Sequence, residues 1–277
     1  ALLLLSPLVF GVERWGSKSW IVYKKISFQP SELAKITFSL FLADSLKDRK
    51  IKNPLQFFGQ ILVILLLLAA ARDLGGAMIF YFTALAVIFA ATSRLDIAAA
   101  GMLMACIAGL VGYKQFNHVK VRIKAWLNPW EDVPGKGYQI VQSLFAIAEG
   151  GFFGTGLGLG YPEFIPEVHT DFIFPAICEE MGIFTGIGII MLFLILVYRG
   201  FKIAINQRYK FYRIVALGIS ILFGIQSFII FGGVLNMIPL TGITIPFVSY
   251  GGSSMLSSFI ALGILQVASE ELDLDEE

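Results

Sequence analysis

The chain has 277 residues, of which 57% are hydrophobic, 25 are Phe and only 15% are charged. Soluble domains carry about 25% charged residues, so water is not the main solvent of this protein. Its net charge of +1 argues against a nucleic-acid partner, because binding to a phosphate backbone depends on clustered Lys and Arg.

Apolar stretches that can cross a bilayer recur along the chain, since a helix needs about 20 residues to span a hydrocarbon core of about 30 Å. The first eleven residues predict the end of a span that starts upstream. Further helices are predicted at about residues 31–45, 55–71, 75–91, 97–111, 172–197, 214–235 and 253–268. We therefore expect an all-α fold, a polytopic transmembrane helical bundle of about seven full spans plus a partial one. A single membrane-embedded domain should cover residues 1–277.

The segments between the spans predict how the chain is oriented. Residues 12–30 mix aromatic and charged side chains, as is typical of an interfacial loop. The short basic turns 47–52 and 198–213 should face the cytoplasm, because short cytoplasmic loops are enriched in Lys and Arg. The acidic C-terminal residues 270–277 should then be cytoplasmic as well.

Residues 112–171 are predicted to form a large extracytoplasmic loop, rich in Gly, Pro and Trp. Its basic residues oppose this orientation, but the charge bias applies to short loops rather than long ones. They are Lys114, Lys120, Arg122, Lys124 and Lys136. Basic and aromatic side chains interleave around Arg122 and Trp126, which suits a lipid-linked diphosphate; an interfacial aromatic belt explains the Trp residues equally well.

Asp171 lies where this loop meets an apolar helix, and the residues allow two interpretations. Thr170 or Asp171 is placed to cap the helix by accepting its first N–H groups. Alternatively, Asp171 is a carboxylate at the lip of a membrane cavity, where partial burial raises its pKa and makes it a better base. His169 has no second close ligand, which favours a structural role over metal binding.

Other ionisable residues lie at or inside membrane boundaries, where such residues are costly. Glu32 and Lys35 stand three apart, so they share a helix face and should pair, either as a structural ion pair or as part of a functional site. Asp73 is placed either to face a cavity or to cap the following helix. Of Glu179 and Glu180, at least one should point into the protein interior.

Two further features have structural interpretations. The run Gly154-Thr155-Gly156-Leu157-Gly158-Leu159-Gly160 follows no predicted strand, so a dinucleotide-binding loop is rejected in favour of close helix contact and flexibility. Cys106 and Cys178 lie in apolar spans, where a thiol behaves as a small packing residue.

Four motifs occur in a particular order and spacing. They are Phe28-Gln29-Pro30-Ser31-Glu32-Leu33-Ala34-Lys35, Gly137-Tyr138-Gln139-Ile140-Val141-Gln142-Ser143, Pro166-Glu167-Val168-His169-Thr170-Asp171-Phe172-Ile173-Phe174 with Glu179-Glu180, and Pro246-Phe247-Val248-Ser249-Tyr250-Gly251-Gly252-Ser253-Ser254. Together they resemble the signatures of the SEDS (shape, elongation, division and sporulation) family of peptidoglycan glycosyltransferases, over essentially the whole chain. One departure is Ala71-Arg72-Asp73-Leu74-Gly75, where many members read Gln-Pro-Asp-Leu-Gly. The family has ten spans, so the resemblance implies that two and most of a third are absent here.

The resemblance implies polymerisation of lipid II into β-1,4-linked glycan strands at the outer face of the bacterial cytoplasmic membrane, with a class B penicillin-binding protein as partner. Asp171 would be the catalytic base of an inverting transfer. Substrate-binding residues would be Glu32, Lys35, Asp73, Arg122, Gln142 and Ser249. The leaving polyprenyl diphosphate needs cations, supplied by Lys35, Arg122 or a divalent metal such as Mg²⁺ or Mn²⁺; no organic cofactor is expected.

Two other functions fit the same residues. A polar cavity with intramembrane charges also suits a lipid II flippase, and the glycine-rich segment before Asp171 is compatible with a transporter. A non-catalytic scaffold that recruits the penicillin-binding protein is the third possibility. A carboxylate at the outer mouth, rather than at mid-membrane, favours the enzyme.

Overall fold

The computed structural model describes residues 1–14, 17–24, 26–48, 53–135 and 137–270. Within these residues the chain forms ten α-helices, three short strands and one turn of 3₁₀ helix at Pro162–Phe164. The strands are β1 (Val12–Arg14), β2 (Ser17–Tyr23) and β3 (Ile26–Phe28), and the helices are α1 (Leu2–Phe10), α2 (Pro30–Leu46), α3 (Pro54–Ala70), α4 (Leu74–Thr92), α5 (Leu95–Gln115), α6 (Asn117–Leu127), α7 (Tyr138–Gly150), α8 (Ile173–Asn206), α9 (Lys210–Val234) and α10 (Gly252–Glu270). Predictions for residues 49–52, Lys136 and residues 271–277 lie outside the described residues.

All seven predicted spans are helices, α2 to α5 and α8 to α10, which confirms the all-α membrane fold. Among the described residues, α4, α5, α8, α9 and α10 are long and apolar enough to cross a membrane, while α3 is apolar but has 17 residues. α2 also has 17 residues, with Pro30 at its start and Glu32 in its first turn as predicted. The chain is a multi-pass membrane protein.

Helix α8 is longer than predicted. Its 34 residues extend to Asn206, about 50 Å at 1.5 Å per residue, well beyond a hydrocarbon core of about 30 Å. Arg199 and Lys202 therefore lie on the last turns of this helix, and not in a basic loop as the sequence suggested.

The predicted interfacial loop between α1 and α2 is a small antiparallel sheet with strand order β1-β2-β3. Trp20 lies opposite Val12, and Ile21 lies opposite Phe28. Aromatic and β-branched residues in β2 favour a strand. The Lys18 N–H donates to the Ala71 carbonyl (2.9 Å), which joins the sheet to the end of α3.

The described residues form two compact units, the first of which comprises Ala1–Ala98, Ile195–Ile225 and the described residues from Gly251 onward. Its centre is α2, which packs against α1, α4, α10 and β2. The Phe38 and Phe80 rings lie 5.0 Å apart between α2 and α4. This packing buries one face of α2, including Glu32 and Lys35.

The second unit comprises Ala99–Leu194 and Gln226–Tyr250. Its core joins the first half of α8 to the end of α9, where Phe231 packs edge-on against Phe174 (5.0 Å) and Phe193 (5.6 Å). Ile165 and Val168, from the loop before α8, pack into the same core. The core therefore anchors the loop that carries Asp171.

The glycine-rich run packs against a break in α8. Gly182 has φ +84° inside that helix, a conformation suited to glycine. The Thr155 N–H donates to the Glu179 carbonyl, and the Ile183 N–H donates to the Gly151 carbonyl (both 2.9 Å). The loop thus forms hydrogen bonds with backbone groups that lose their helical partners at the break. The predicted close contact is confirmed.

Glu179 and Glu180 also bind this loop. Glu179 is buried and its Oε1 accepts from the Tyr161 N–H at 2.8 Å, while Glu180 Oε1 accepts from the Gly158 N–H at 3.2 Å. The prediction that one of the two points inward is confirmed for Glu179, and Cys178 beside it is buried and free, as expected of a packing thiol.

Candidate functional site

Asp171 is held at the end of a structured loop, two residues before the first residue of α8. The loop turns at Glu167, whose φ is +58° and whose carbonyl accepts from the Thr170 N–H at 3.1 Å. Among the described residues no backbone N–H donates to the Asp171 side chain, and its hydrogen-bond partner is the Thr170 hydroxyl. The half-buried Asp171 carboxyl therefore does not act as a helix cap.

The surroundings of Asp171 make its carboxyl unusually basic. Burial, followed by the negative charge of Glu167, raises the pKa of Asp171 to about 6. The Arg122 guanidinium and the Thr170 hydroxyl act in the opposite direction, with smaller effects. A carboxyl with a pKa near 6 is mostly ionised at neutral pH, yet it accepts a proton more readily than an ordinary Asp.

Residues 240–250, which are distant in sequence from both residues, bring Arg122 close to Asp171. Arg122 lies on α6, and its Nη1 donates to the carbonyls of Thr241 (3.0 Å) and Leu240 (3.4 Å). A Cβ built on Gly242 would lie 3.2 Å from Asp171 Oδ2 and 3.8 Å from Arg122 Nη2. Both charged groups thus border the space left by the missing side chain of Gly242.

Helix α6 is fixed by a reciprocal pair of hydrogen bonds. Trp126 Nε1 donates to the Asn236 carbonyl at 3.0 Å, and Asn236 Nδ2 donates to the Trp126 carbonyl at 3.4 Å. Trp126 is half-buried and therefore acts as an anchor that positions Arg122, while Trp130 is exposed and packs edge-on against Phe145.

Ser249 and Gln142, the other residues predicted in this unit, lie in different settings. Ser249 is buried, with its hydroxyl donating to the Thr170 carbonyl at 2.6 Å and accepting from the Ile245 N–H at 2.8 Å. Its polar atom is engaged within the protein, next to Asp171. Gln142 is half-buried on α7.

A second group of predicted residues lies in the first unit, around α2. Lys35 Nζ lies 2.9 Å from both Glu32 carboxylate oxygens, and the two residues are each 5% exposed. Ser257, on α10, donates to Glu32 Oε2 at 3.2 Å. The predicted pairing of Glu32 and Lys35 is confirmed, in a buried setting where each charge depends on the other.

Asp73 is the cap of α4, one of the two roles that the sequence left open. Its Oδ1 accepts from the Gly76 N–H at 2.8 Å. Burial, followed by the weaker effect of the Glu32 charge, raises the pKa of Asp73, while the Gly76 N–H, Lys35 and Ser31 lower it. Asp73 thus belongs to the same polar group as Glu32 and Lys35.

The structure also answers whether the protein alone offers a metal site. Among the described residues, no three His, Cys, Asp or Glu side chains come together as metal ligands. A Mg²⁺ ion held by one or two carboxylates and by substrate phosphates needs fewer protein ligands.

Comparisons with known proteins give consistent matches over nearly the whole chain. A family model for cell cycle proteins of the FtsW, RodA and SpoVE type matches residues 1–273. The chain is 40% identical over 270 residues to the peptidoglycan glycosyltransferase RodA of Mycobacterium tuberculosis strain H37Rv, covering 91% of this chain and 58% of that protein. It is 39% identical over 274 residues to the stage V sporulation protein E of Bacillus subtilis strain 168, covering 95% and 74%. The chain therefore spans less than two thirds of its mycobacterial relatives.

Solved structures agree with this. A chain from a peptidoglycan synthase complex, solved to study the structural coordination of polymerization and crosslinking, has a TM-score of 0.81 and 28% identity, covering 98% of this chain and 78% of that chain. The rod shape determining protein RodA of Thermus thermophilus has a TM-score of 0.67 and 26% identity, covering 98% and 75%.

Proposed function

Because this chain belongs to the FtsW/RodA/SpoVE family of cell cycle proteins, we propose that it is a peptidoglycan glycosyltransferase that polymerises lipid II into β-1,4-linked glycan strands. The SEDS family predicted from the four motifs is thereby confirmed. The observation that carries the proposal is the Asp171 carboxyl, which has a pKa of about 6, does not cap α8 and borders the open position at Gly242 beside Arg122.

The proposed reaction is a single inverting displacement. The acceptor sugar hydroxyl approaches Asp171 and gives its proton to the carboxylate as the hydroxyl oxygen attacks the anomeric carbon of the donor. The bond from that carbon to the diphosphate oxygen breaks, and the polyprenyl diphosphate leaves with the electron pair. Gly242 keeps the approach to Asp171 Oδ2 open, because a Cβ there would lie 3.2 Å from that oxygen.

Arg122 is the residue of this unit best placed to meet the developing negative charge. Its exposed guanidinium is oriented by the Leu240 and Thr241 carbonyls, and a preoriented cation stabilises a leaving phosphate without reorganising during the reaction. A divalent cation would add positive charge at the diphosphate. Glu32, Lys35, Asp73 and Gln142 remain proposed substrate-binding residues.

The test is polymerisation of fluorescent lipid II by the purified protein in detergent. Asp171→Asn keeps the shape of the side chain but cannot accept the proton, so glycan formation should fall by about 10²–10⁴-fold. Detergent removes sidedness, so a flippase or a scaffold would give no glycan product even from the wild type. Near-normal product from folded Asp171→Asn protein would contradict the catalytic assignment.

The same proposal includes a partner and a location. A class B penicillin-binding protein would crosslink the strands, which is supported by the similarity to a chain of a peptidoglycan synthase complex. We place the protein in the bacterial cytoplasmic membrane with a cytoplasmic C-terminus, on the charge distribution of the short loops. Co-purification with such a partner tests the first point, and cysteine labelling from each side tests the second.

A further inference from the structure

Two consecutive residues of the 240–250 segment hold the two peptide groups that precede Asp171. The Ser249 hydroxyl donates to the Thr170 carbonyl at 2.6 Å, and the Tyr250 N–H donates to the His169 carbonyl at 2.8 Å. Among the described residues, no other hydrogen bond reaches these two carbonyls. The backbone entering Asp171 is thus fixed from residues about 80 positions further along the chain.

The residue that makes this contact is itself held firmly. The Ser249 hydroxyl accepts from the Ile245 N–H at 2.8 Å, and the Ser249 N–H donates to the Ile245 carbonyl at 3.0 Å. Ser249 is 2% exposed. One side chain therefore closes its own turn and joins that turn to the loop of Asp171.

Asp171 needs such support because its carboxyl is not fixed by a helix cap. The Thr170 hydroxyl beside the Asp171 carboxyl donates to the Glu167 carbonyl at 3.2 Å and belongs to the same loop. The direction of the carboxyl is thus set by the backbone at residues 169–171.

We propose that Ser249 is a positioning residue, which keeps the Asp171 carboxyl beside Gly242 and Arg122 by holding the Thr170 peptide, with the Tyr250 N–H holding the peptide before it. This inference rests on the proposed function. Ser249 was first predicted to bind substrate; its buried hydroxyl instead acts on the reaction through Asp171.

The direct test is Ser249→Ala, assayed by polymerisation of fluorescent lipid II with the full-length protein. Without the hydroxyl the Thr170 peptide shifts, and a misplacement of about 1 Å costs on the order of 10²-fold in rate. We expect kcat to fall by about 10–100-fold with little change in KM, because the lost positioning matters in the transition state. The acid limb of the pH–rate profile should also move toward lower pH, since a displaced Asp171 carboxyl is better solvated.

The matched control is Ser143→Ala, in the same unit. Ser143 is also buried, and its hydroxyl lies 2.9 Å from the Ile140 carbonyl and 3.5 Å from the Val234 carbonyl, neither of which belongs to the Asp171 loop. Thermal unfolding in detergent should show a comparable loss of stability for both variants, but only Ser249→Ala should move the acid limb. An equal shift in Ser143→Ala would overturn the proposal.

Two further measurements keep the test decisive. If Ser249→Ala does not fold, Ser249→Cys replaces the hydroxyl with a larger group that is a weaker donor and should show the same shift to a smaller extent. Wild-type kcat and an unmoved acid limb in a folded Ser249 variant would overturn the positioning role. If the wild type is active and Asp171→Asn is inactive, that outcome contradicts the role of Ser249 but not the proposed function. Absence of product from the wild type contradicts the function itself.

Discussion

The rate of glycan synthesis should depend on pH through the ionisation of Asp171, whose pKa burial and the nearby Glu167 raise to about 6. A general base works only as the carboxylate, so the rate should rise with pH. It should reach about a tenth of its maximum at pH 5 and about nine tenths at pH 7. An ordinary Asp, with a pKa of about 3.9, would lose less than about a tenth of its rate between pH 7 and pH 5.

Two substitutions should move this midpoint in opposite directions. Glu167→Gln removes the negative charge that raises the pKa of Asp171, so the acid limb should move to lower pH. Arg122→Gln removes a positive charge that lowers it, so the limb should move to higher pH. Because Arg122 is exposed, its effect should be measured at low ionic strength. Lys124→Gln, an exposed site on the same helix, is the control and should leave the midpoint unchanged.

The raised pKa of Asp171 also predicts an effect on stability. The unfolded chain, with an Asp pKa of about 3.9, binds fewer protons than the folded one between pH 4 and 6, so stability should fall as pH rises through that window. A shift of about two pKa units is worth at most about 3 kcal/mol, and the half-buried setting reduces it. Asp171→Asn should therefore raise Tm at pH 7, with little effect below pH 4.

These predictions are measured by initial rates with lipid II in detergent from pH 4.5 to 8 and by thermal unfolding over the same range. A midpoint near pH 4, or a midpoint that neither Glu167→Gln nor Arg122→Gln moves, would refute the electrostatic account of Asp171. Opposite shifts from the two variants would support it independently of their absolute rates.

Two other predictions concern the buried ion pair and a glycine. Glu32→Gln and Lys35→Met should each destabilise the protein by about 3–5 kcal/mol, because each leaves an uncompensated buried charge. The double variant should lose less stability than the sum of the two single variants. Additive losses of stability in this double-mutant cycle would contradict coupling between the two residues. Gly242→Ala and Gly158→Ala, at φ +71° and +72°, should lose similar stability, about 1–2 kcal/mol, since both adopt a left-handed backbone. Only Gly242→Ala should also lose activity, because the Gly158 position is open whereas the Gly242 Cβ meets Asp171; equal activities would refute a role for that space.

Much of the helical architecture was predictable because it follows from local patterns. The apolar runs located α3, α4, α9 and α10 to within a few residues, and Pro30 marked the start of α2. The spacing of Glu32 and Lys35 was sufficient to predict their ion pair. The sheet of β1 to β3 was missed because aromatic and charged residues at a membrane boundary fit a loop and a strand equally well.

Asp73 and Asp171 illustrate the limit of local patterns. Each precedes an apolar helix, and the sequence allowed both to cap it. Asp73 does so by accepting from the Gly76 N–H, whereas Asp171 receives no backbone N–H among the described residues. The difference depends on the turn at Glu167, whose φ of +58° the residue types around it do not specify.

The sequence by itself determined that the protein lies in a membrane, where its helices run and to which family it belongs. Hydrophobic length, helical spacing and motif order are sufficient for this because they are properties of short stretches of chain. Tertiary structure alone decided how the site around Asp171 is assembled. Ser249 reaches the Thr170 carbonyl across 79 positions, and Arg122 reaches the Thr241 carbonyl across 119. Such contacts form only when the core around Phe231 brings the 240–250 segment to the loop before α8. No local spacing in the chain specifies that long-range contact.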